Sequence, residues 1–258
     1  MTVTVLLENT TQNDALLSEH GLSMHVALDD CNILFDMGQT DAFLRNAETL
    51  GIDLSRVDIA VLSHGHYDHG GGISAFLEAN ANAPVYLQTR AFGEYYNGSQ
   101  RYIGLDPVLK RSERLVFCED ETVLRPGVTL YTRNGEERKH SLGTFGLTER
   151  IDGTLSPDAF LHEQYLLIED GGKRVLFSGC SHKGILDIVS WFRPDVLIGG
   201  FHVSKVSDEG TLRTLAEALD RYDTAFYTCH CTGTEQFCVM KRYMRRLSYL
   251  SCGAQIRV

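Results

Sequence analysis

Short apolar runs rich in β-branched residues recur at positions 3–7, 23–28, 32–35, 59–62, 85–88, 128–131, 164–169, 174–177, 196–198 and 225–228, and each predicts a strand. Between them, apolar positions return every three or four residues over 41–50, 73–78, 185–192, 209–219 and 235–247, which predicts helices. Gly21 and Gly51 stand where helix stops are expected. Asp29-Asp30-Cys31 and Asp170-Gly171-Gly172 separate neighbouring runs and predict tight hairpin turns.

The order of these elements carries topology. Hairpin-connected strands come first, strand–helix units follow, and the same succession starts again near residue 164. Antiparallel strands joined to crossover helices imply mixed sheets covered by helices, an α/β chain of four layers forming a single domain over 1–258. No Pro- or Ser-rich linker and no close repeat divides it. Two stretches, 91–107 and 132–158, lack strong periodicity, and long ordered loops of this kind are expected to serve as lids or binding loops.

Composition narrows the function. Acidic residues outnumber basic ones 34 to 24, a net charge of −10, which argues against a nucleic-acid partner. No apolar run approaches the roughly 18 residues of a membrane-spanning helix. The start, Met1-Thr-Val-Thr-Val-Leu-Leu-Glu8, lacks the basic region of a secretory signal. Seven cysteines without a paired spacing framework suit free thiols in a reducing compartment. The expectation is a cytoplasmic protein acting on a small molecule.

The densest chemistry follows the fourth strand, in Ser63-His64-Gly-His66-Tyr-Asp68-His69-Gly-Gly-Gly72. Residues two apart in extended chain share a face, so His64 and His66 can address one ion. A glycine-assisted turn then lets Asp68 and His69 address a second. Imidazole and carboxylate donors suit zinc, manganese or iron, and the segment holds too few cysteines for a thiolate cage. Two ions need further ligands from elsewhere.

This segment matches the HxHxDH signature of the metallo-β-lactamase superfamily, and the resemblance extends over nearly the whole chain. Glu19-His-Gly-Leu-Ser23, Leu34-Phe-Asp-Met-Gly38, Gly179-Cys-Ser-His182, Gly199-Gly-Phe-His202 and His230-Cys-Thr-Gly233 resemble the subgroup containing the 7,8-dihydropterin-6-methyl-4-(β-D-ribofuranosyl)aminobenzene-5′-phosphate synthases. The resemblance implies an αββα sandwich with two divalent ions, zinc first among the candidates, at the sheet ends. It implies His182 as the third ligand of the first ion, with His162 as the alternative, and His230 as a ligand of the second. Superfamily members commonly have a bridging aspartate where this chain has Cys180, so Cys180 is either a thiolate ligand or a small packed residue. Asp36 resembles the aspartate that holds the histidine turn from behind. His202 is expected to contact substrate or donate a proton, and His20 to line the same mouth or cap a helix. Cys229 and Cys231, flanking His230, are expected in the core. His25 and His140 are read as structural or exposed.

Hydrolysis is the reaction these features suggest, with Asp68 orienting the attacking water and His202 protonating the leaving group. Arg90, Arg101, Lys110, Arg111 and Arg114 in one irregular region and Arg133, Arg138 and Lys139 in the other suit an anionic substrate, and Tyr95, Tyr96 and Tyr102 offer faces for a ring. A pterin-forming transferase is the alternative, and a non-catalytic small-molecule-binding or regulatory protein is a third reading. The basic stretch 241–246 is expected on the solvated face of the last helix, with Phe237, Met240, Met244 and Leu247 as its buried stripe.

Overall fold

The computed structural model describes residues 1–258. Two seven-stranded mixed sheets form its centre. The first runs, in spatial order, Gln255–Arg257, Thr2–Leu7, Ser23–Ala27, Asn32–Phe35, Ile59–Val61, Val85–Gln88 and Leu115–Cys118. The second runs Leu247–Tyr249, Ala225–Thr228, Val196–Ile198, Lys173–Phe177, Tyr165–Asp170, Val128–Tyr131 and Glu121–Arg125. Each is antiparallel in its hairpin half and parallel in its crossover half, as the repeated order of elements implies.

Alternation along the strands builds the layers. Ile33 and Phe35, Leu166 and Ile168, Val175 and Phe177, and Val196 and Ile198 enter one core between the sheets, where the Phe35 and Phe177 rings lie 5.5 Å apart. Leu34, Ala60 and Leu62 face outward onto Phe43, Ala47, Ile73 and Phe76 of the helices Ala42–Thr49 and Ile73–Ala79. Tyr165, Leu167, Leu176 and Leu197 face the other way, onto Ile185–Phe192, Glu209–Leu219 and Thr234–Lys241. Strands buried on both faces explain why the runs read as continuously apolar. The result is the αββα sandwich.

Both predicted hairpins form, and Gly171 and Gly172 take φ of 56° and 78°, the left-handed values a two-residue turn requires. Two expectations change. The last helix stops at Lys241, and Leu247 opens a strand on Ala225–Thr228, because the Arg246 carbonyl accepts the Phe226 N–H and extends the sheet. Met240, Met244 and Leu247 are buried all the same. The two irregular stretches pair with each other as a third sheet, Thr154–Pro157, Leu147–Ile151, Glu94–Asn97 and Arg101–Tyr102. Tyr95, Ile103, Leu147 and Phe160 give that sheet a small core of its own.

Candidate metal centre

The parallel strands of both sheets deliver their carboxyl ends to one place, where ligand sites of layered α/β folds gather. From the first sheet, Ile59–Val61 runs into Ser63 and His64. Gly65 then passes the Ala91 carbonyl so closely that a Cβ would lie 2.0 Å from its oxygen. His66, still extended, caps the four-residue helix Tyr67–Gly70, which turns Asp68 and His69 to the other side. From the second sheet come Cys180 and His182 after Lys173–Phe177, His202 after Val196–Ile198, and His230 after Ala225–Thr228. Asp36, Ser181, His202 and His230 hold positive φ of 48–59°. Such non-glycine residues cost about 1–3 kcal/mol each and collect where geometry matters.

His64, His66 and His182 bring ligand atoms within 4.8 Å of one another, and the Nε2 atoms of His64 and His182 are 3.2 Å apart. His69 Nε2 lies 3.1 Å from His230 Nε2, 3.2 Å from Cys180 Sγ and 3.8 Å from Asp68 Oδ2. Asp68 Oδ2 also stands 3.3 Å from His230 Nε2 and 3.1 Å from His20 Nε2. All of these side chains except His20 are buried.

Hydrogen bonds behind three rings decide which nitrogen faces forward. The Asp36 carboxylate, which only accepts, takes the Ser63 N–H at 2.7 Å, the Ser63 hydroxyl at 2.8 Å and His69 Nδ1–H at 2.7 Å. Ser63 Oγ has thus spent its proton, so at 2.8 Å it accepts from His64 Nδ1–H. Asn9 Oδ1 accepts from His230 Nδ1–H at 2.7 Å. The Nε2 atoms of all three rings therefore point into the cluster. Nitrogens brought to 3.1–3.2 Å in this way need a proton or a cation between them, and the combined nitrogen, oxygen and sulfur donors fit a divalent ion of the zinc type.

Electrostatics agree. Burial, reinforced by neighbouring imidazoles, holds His64 and His182 well below the usual histidine range, so both stay neutral. Burial would also lower His69, but Asp36 and Asp68 outweigh it and raise the ring to about 9. Burial opposes ionisation of Asp68, yet His69 and hydrogen bonds from His20 and His230 carry it well below the carboxylate range. The cluster thus attracts positive charge on its Asp68 side.

The centre forms the floor of a cavity of about 470 Å³. His20, Arg101, Leu147, His202 and Lys205 contribute to its walls, Arg101 from the third sheet. His20 lines the mouth rather than capping a helix. His162 groups instead with His66 and Asp158, their ligand atoms within 4.8 Å of one another. Its Nδ1 accepts from the Gly65 N–H at 2.9 Å and its Nε2 pairs with Asp158 at 3.2 Å, so both nitrogens are occupied, while His182 lies beside His64. Cys229 is in the central core as expected, but Cys231 is not. The chain turns at His230, φ 48°, which breaks strand alternation and puts Cys231 on the cavity wall beside Cys180 and His202.

Several supporting roles went unread in the sequence. Glu8 accepts the His230 N–H and the Tyr249 hydroxyl, each at 2.6 Å. Glu163 accepts the His182 N–H at 2.6 Å and the Lys183 N–H at 3.1 Å. Phe160 stacks on His182 at 4.5 Å, and Tyr95 packs on His162 at 3.9 Å. The only advance signal was an acidic residue closing an apolar run, as in Leu6-Leu7-Glu8.

The sequence profile of the metallo-beta-lactamase superfamily matches residues 19–230. A protein of Methanocaldococcus jannaschii named 7,8-dihydropterin-6-methyl-4-(beta-D-ribofuranosyl)-aminobenzene-5′-phosphate synthase is 27% identical over 86% of this chain and 83% of its own length. Another protein of that organism, without an assigned activity, is 29% identical over 90% of both chains. A solved structure described as a metal-dependent hydrolase of the beta-lactamase superfamily superposes with a TM-score of 0.84 at 31% identity, covering 100% of this chain and 99% of the other.

Proposed function

Since the chain belongs to the metallo-β-lactamase superfamily, we propose that it is a metal-dependent hydrolase of a small anionic metabolite, working through a two-ion centre. The observation that carries this reading is the convergence of His64, His66 and His182 on one side and Asp68, His69, His230 and Cys180 on the other, on a cavity floor, with three rings pinned through Nδ1. Two divalent ions held there, zinc first among the candidates, would lower the pKa of a water and polarise the bond it attacks.

The remaining steps belong to the chain itself. The Asp68 carboxylate, ionised and bonded to His20 and His230, accepts a hydrogen bond from the attacking water and orients it. His202, on the cavity wall with its ring 4.2 Å from that of His182, donates a proton to the leaving group. Arg101 and Lys205 hold the anionic end of the substrate, while Ile103 and Leu147 cover its apolar part.

The test is a panel of p-nitrophenyl phosphate mono- and diesters, carboxylate esters and lactones, offered to metal-loaded protein. Turnover with water as sole acceptor, lowered about 100-fold or more in Asp68→Asn and His202→Ala, is expected. Equal turnover in both variants would sink these assignments. A second reading is favoured by one observation, the 27% identity to the named synthase. It makes the same centre a transferase, which would show no hydrolysis and would need both a pterin donor and an aminobenzene acceptor.

A further inference from the structure

We propose that Cys180 and Cys231 form an oxidisable thiol pair on the cavity wall, closed into an internal disulfide by hydroperoxides. Their sulfurs lie no more than 4.8 Å apart, and both residues line the cavity. Cys231 Sγ also stands 3.4 Å from the carbonyl oxygen of Cys180, so its side chain already reaches the Cys180 residue, and a bridge needs the two sulfurs to swing together. Gly200 clears the space, since a Cβ there would lie 2.3 Å from Cys231 Sγ. Of the other cysteines, Cys229 is packed in the central core and Cys252 receives the Glu8 N–H.

Cys231 reacts first, because its sulfur stands beside His202 on the cavity wall, whereas Cys180 faces His69 at 3.2 Å. Its sulfur attacks the peroxide O–O bond, giving a sulfenic acid and one water. The Cys180 sulfur then displaces the sulfenic oxygen, which leaves as a second water, and the S–S bond forms. Two thiols and one hydrogen peroxide thus become a disulfide and two waters, and a thiol reductant reverses the change. The bridge would draw the Cys180 sulfur away from His69. That consequence for the centre rests on the metal reading above, whereas the thiol chemistry does not.

The experiment treats the metal-loaded protein and Cys231→Ser with hydrogen peroxide, followed by alkylation, non-reducing trypsin digestion and elemental analysis. In the unsubstituted protein, alkylatable thiols should fall from seven to five, and the peptides 175–183 and 222–241 should appear linked until dithiothreitol is added. Cys231→Ser should lose no thiol and show no link. Absence of the link, or its persistence in Cys231→Ser, overturns the proposal. Metal content reports separately: loss of about one ion per chain with the link supports Cys180 as a ligand, and an unchanged content with the link leaves the thiol pair standing while removing Cys180 from the centre.

Discussion

A single carboxylate governs two of the histidines in the centre. Asp36 fixes His69 directly and His64 through the Ser63 hydroxyl. Asp36→Asn presents an amide that donates as well as accepts, which frees both tautomers. Metal affinity should fall about 10–100-fold, read by competition with a chromophoric chelator, while circular dichroism stays unchanged. An unaltered affinity would show that the rings are oriented by packing alone. His162 supports the same turn through the Gly65 N–H, beside His66. Burial pushes it down to about 4, against 6.5 for a free imidazole, so between those values the unfolded chain binds a proton that the folded chain refuses. Its contribution to stability is therefore lost as pH falls from 6.5 to 4, by about 3 kcal/mol in total. Urea denaturation of the metal-free protein at pH 7 and pH 4.5 should show a clearly smaller drop for His162→Gln than for the unsubstituted chain. Local spacing made the histidine turn legible in the sequence. Asn9 was illegible because 221 residues separate it from His230, and no pattern along the chain reports a contact made only by folding.

Elements with a continuous apolar pattern were read nearly to the residue, as with Ile185–Phe192 and Glu209–Leu219. The third sheet escaped notice because its strands are short and half exposed, with Glu94–Asn97 and Leu147–Ile151 joined by pairing across fifty residues of chain rather than by an apolar face. Its position gives it a function that a loose loop could not have. Tyr95 and Phe160 brace the rings of His162 and His182, and Arg101 reaches the cavity, held by a 2.9 Å bond to the Tyr67 hydroxyl. The cavity wall and the histidine cluster are thus tied by one element. Arg101→Ala should raise KM for anionic substrates about tenfold with little change in kcat, and leave KM for neutral esters unaffected. A matching loss on both classes would place Arg101 in the scaffold instead.

The whole molecule presents two half-sites that only the packed sandwich brings together. His64, His66, Asp68 and His69 follow a strand of the first sheet, and Cys180, His182 and His230 follow strands of the second. An ion bound between them crosslinks the two sheets and binds the folded chain alone. At a hundredfold excess over Kd each site should add about 2.7 kcal/mol, so chelation should lower Tm by at least about 5 °C. The pairing of halves also explains how far the sequence could be read. Either half is visible as a local motif, whereas the approach of His182 to His64 arises only when the two sheets pack together. Elemental analysis of metals per chain, on untagged protein purified without chelator and again after reconstitution, tests this account most directly. Two divalent ions per chain are expected, falling to one in His182→Ala and in His230→Ala. A chain that holds no metal even after reconstitution, or that keeps its full complement in both variants, would contradict the centre described here.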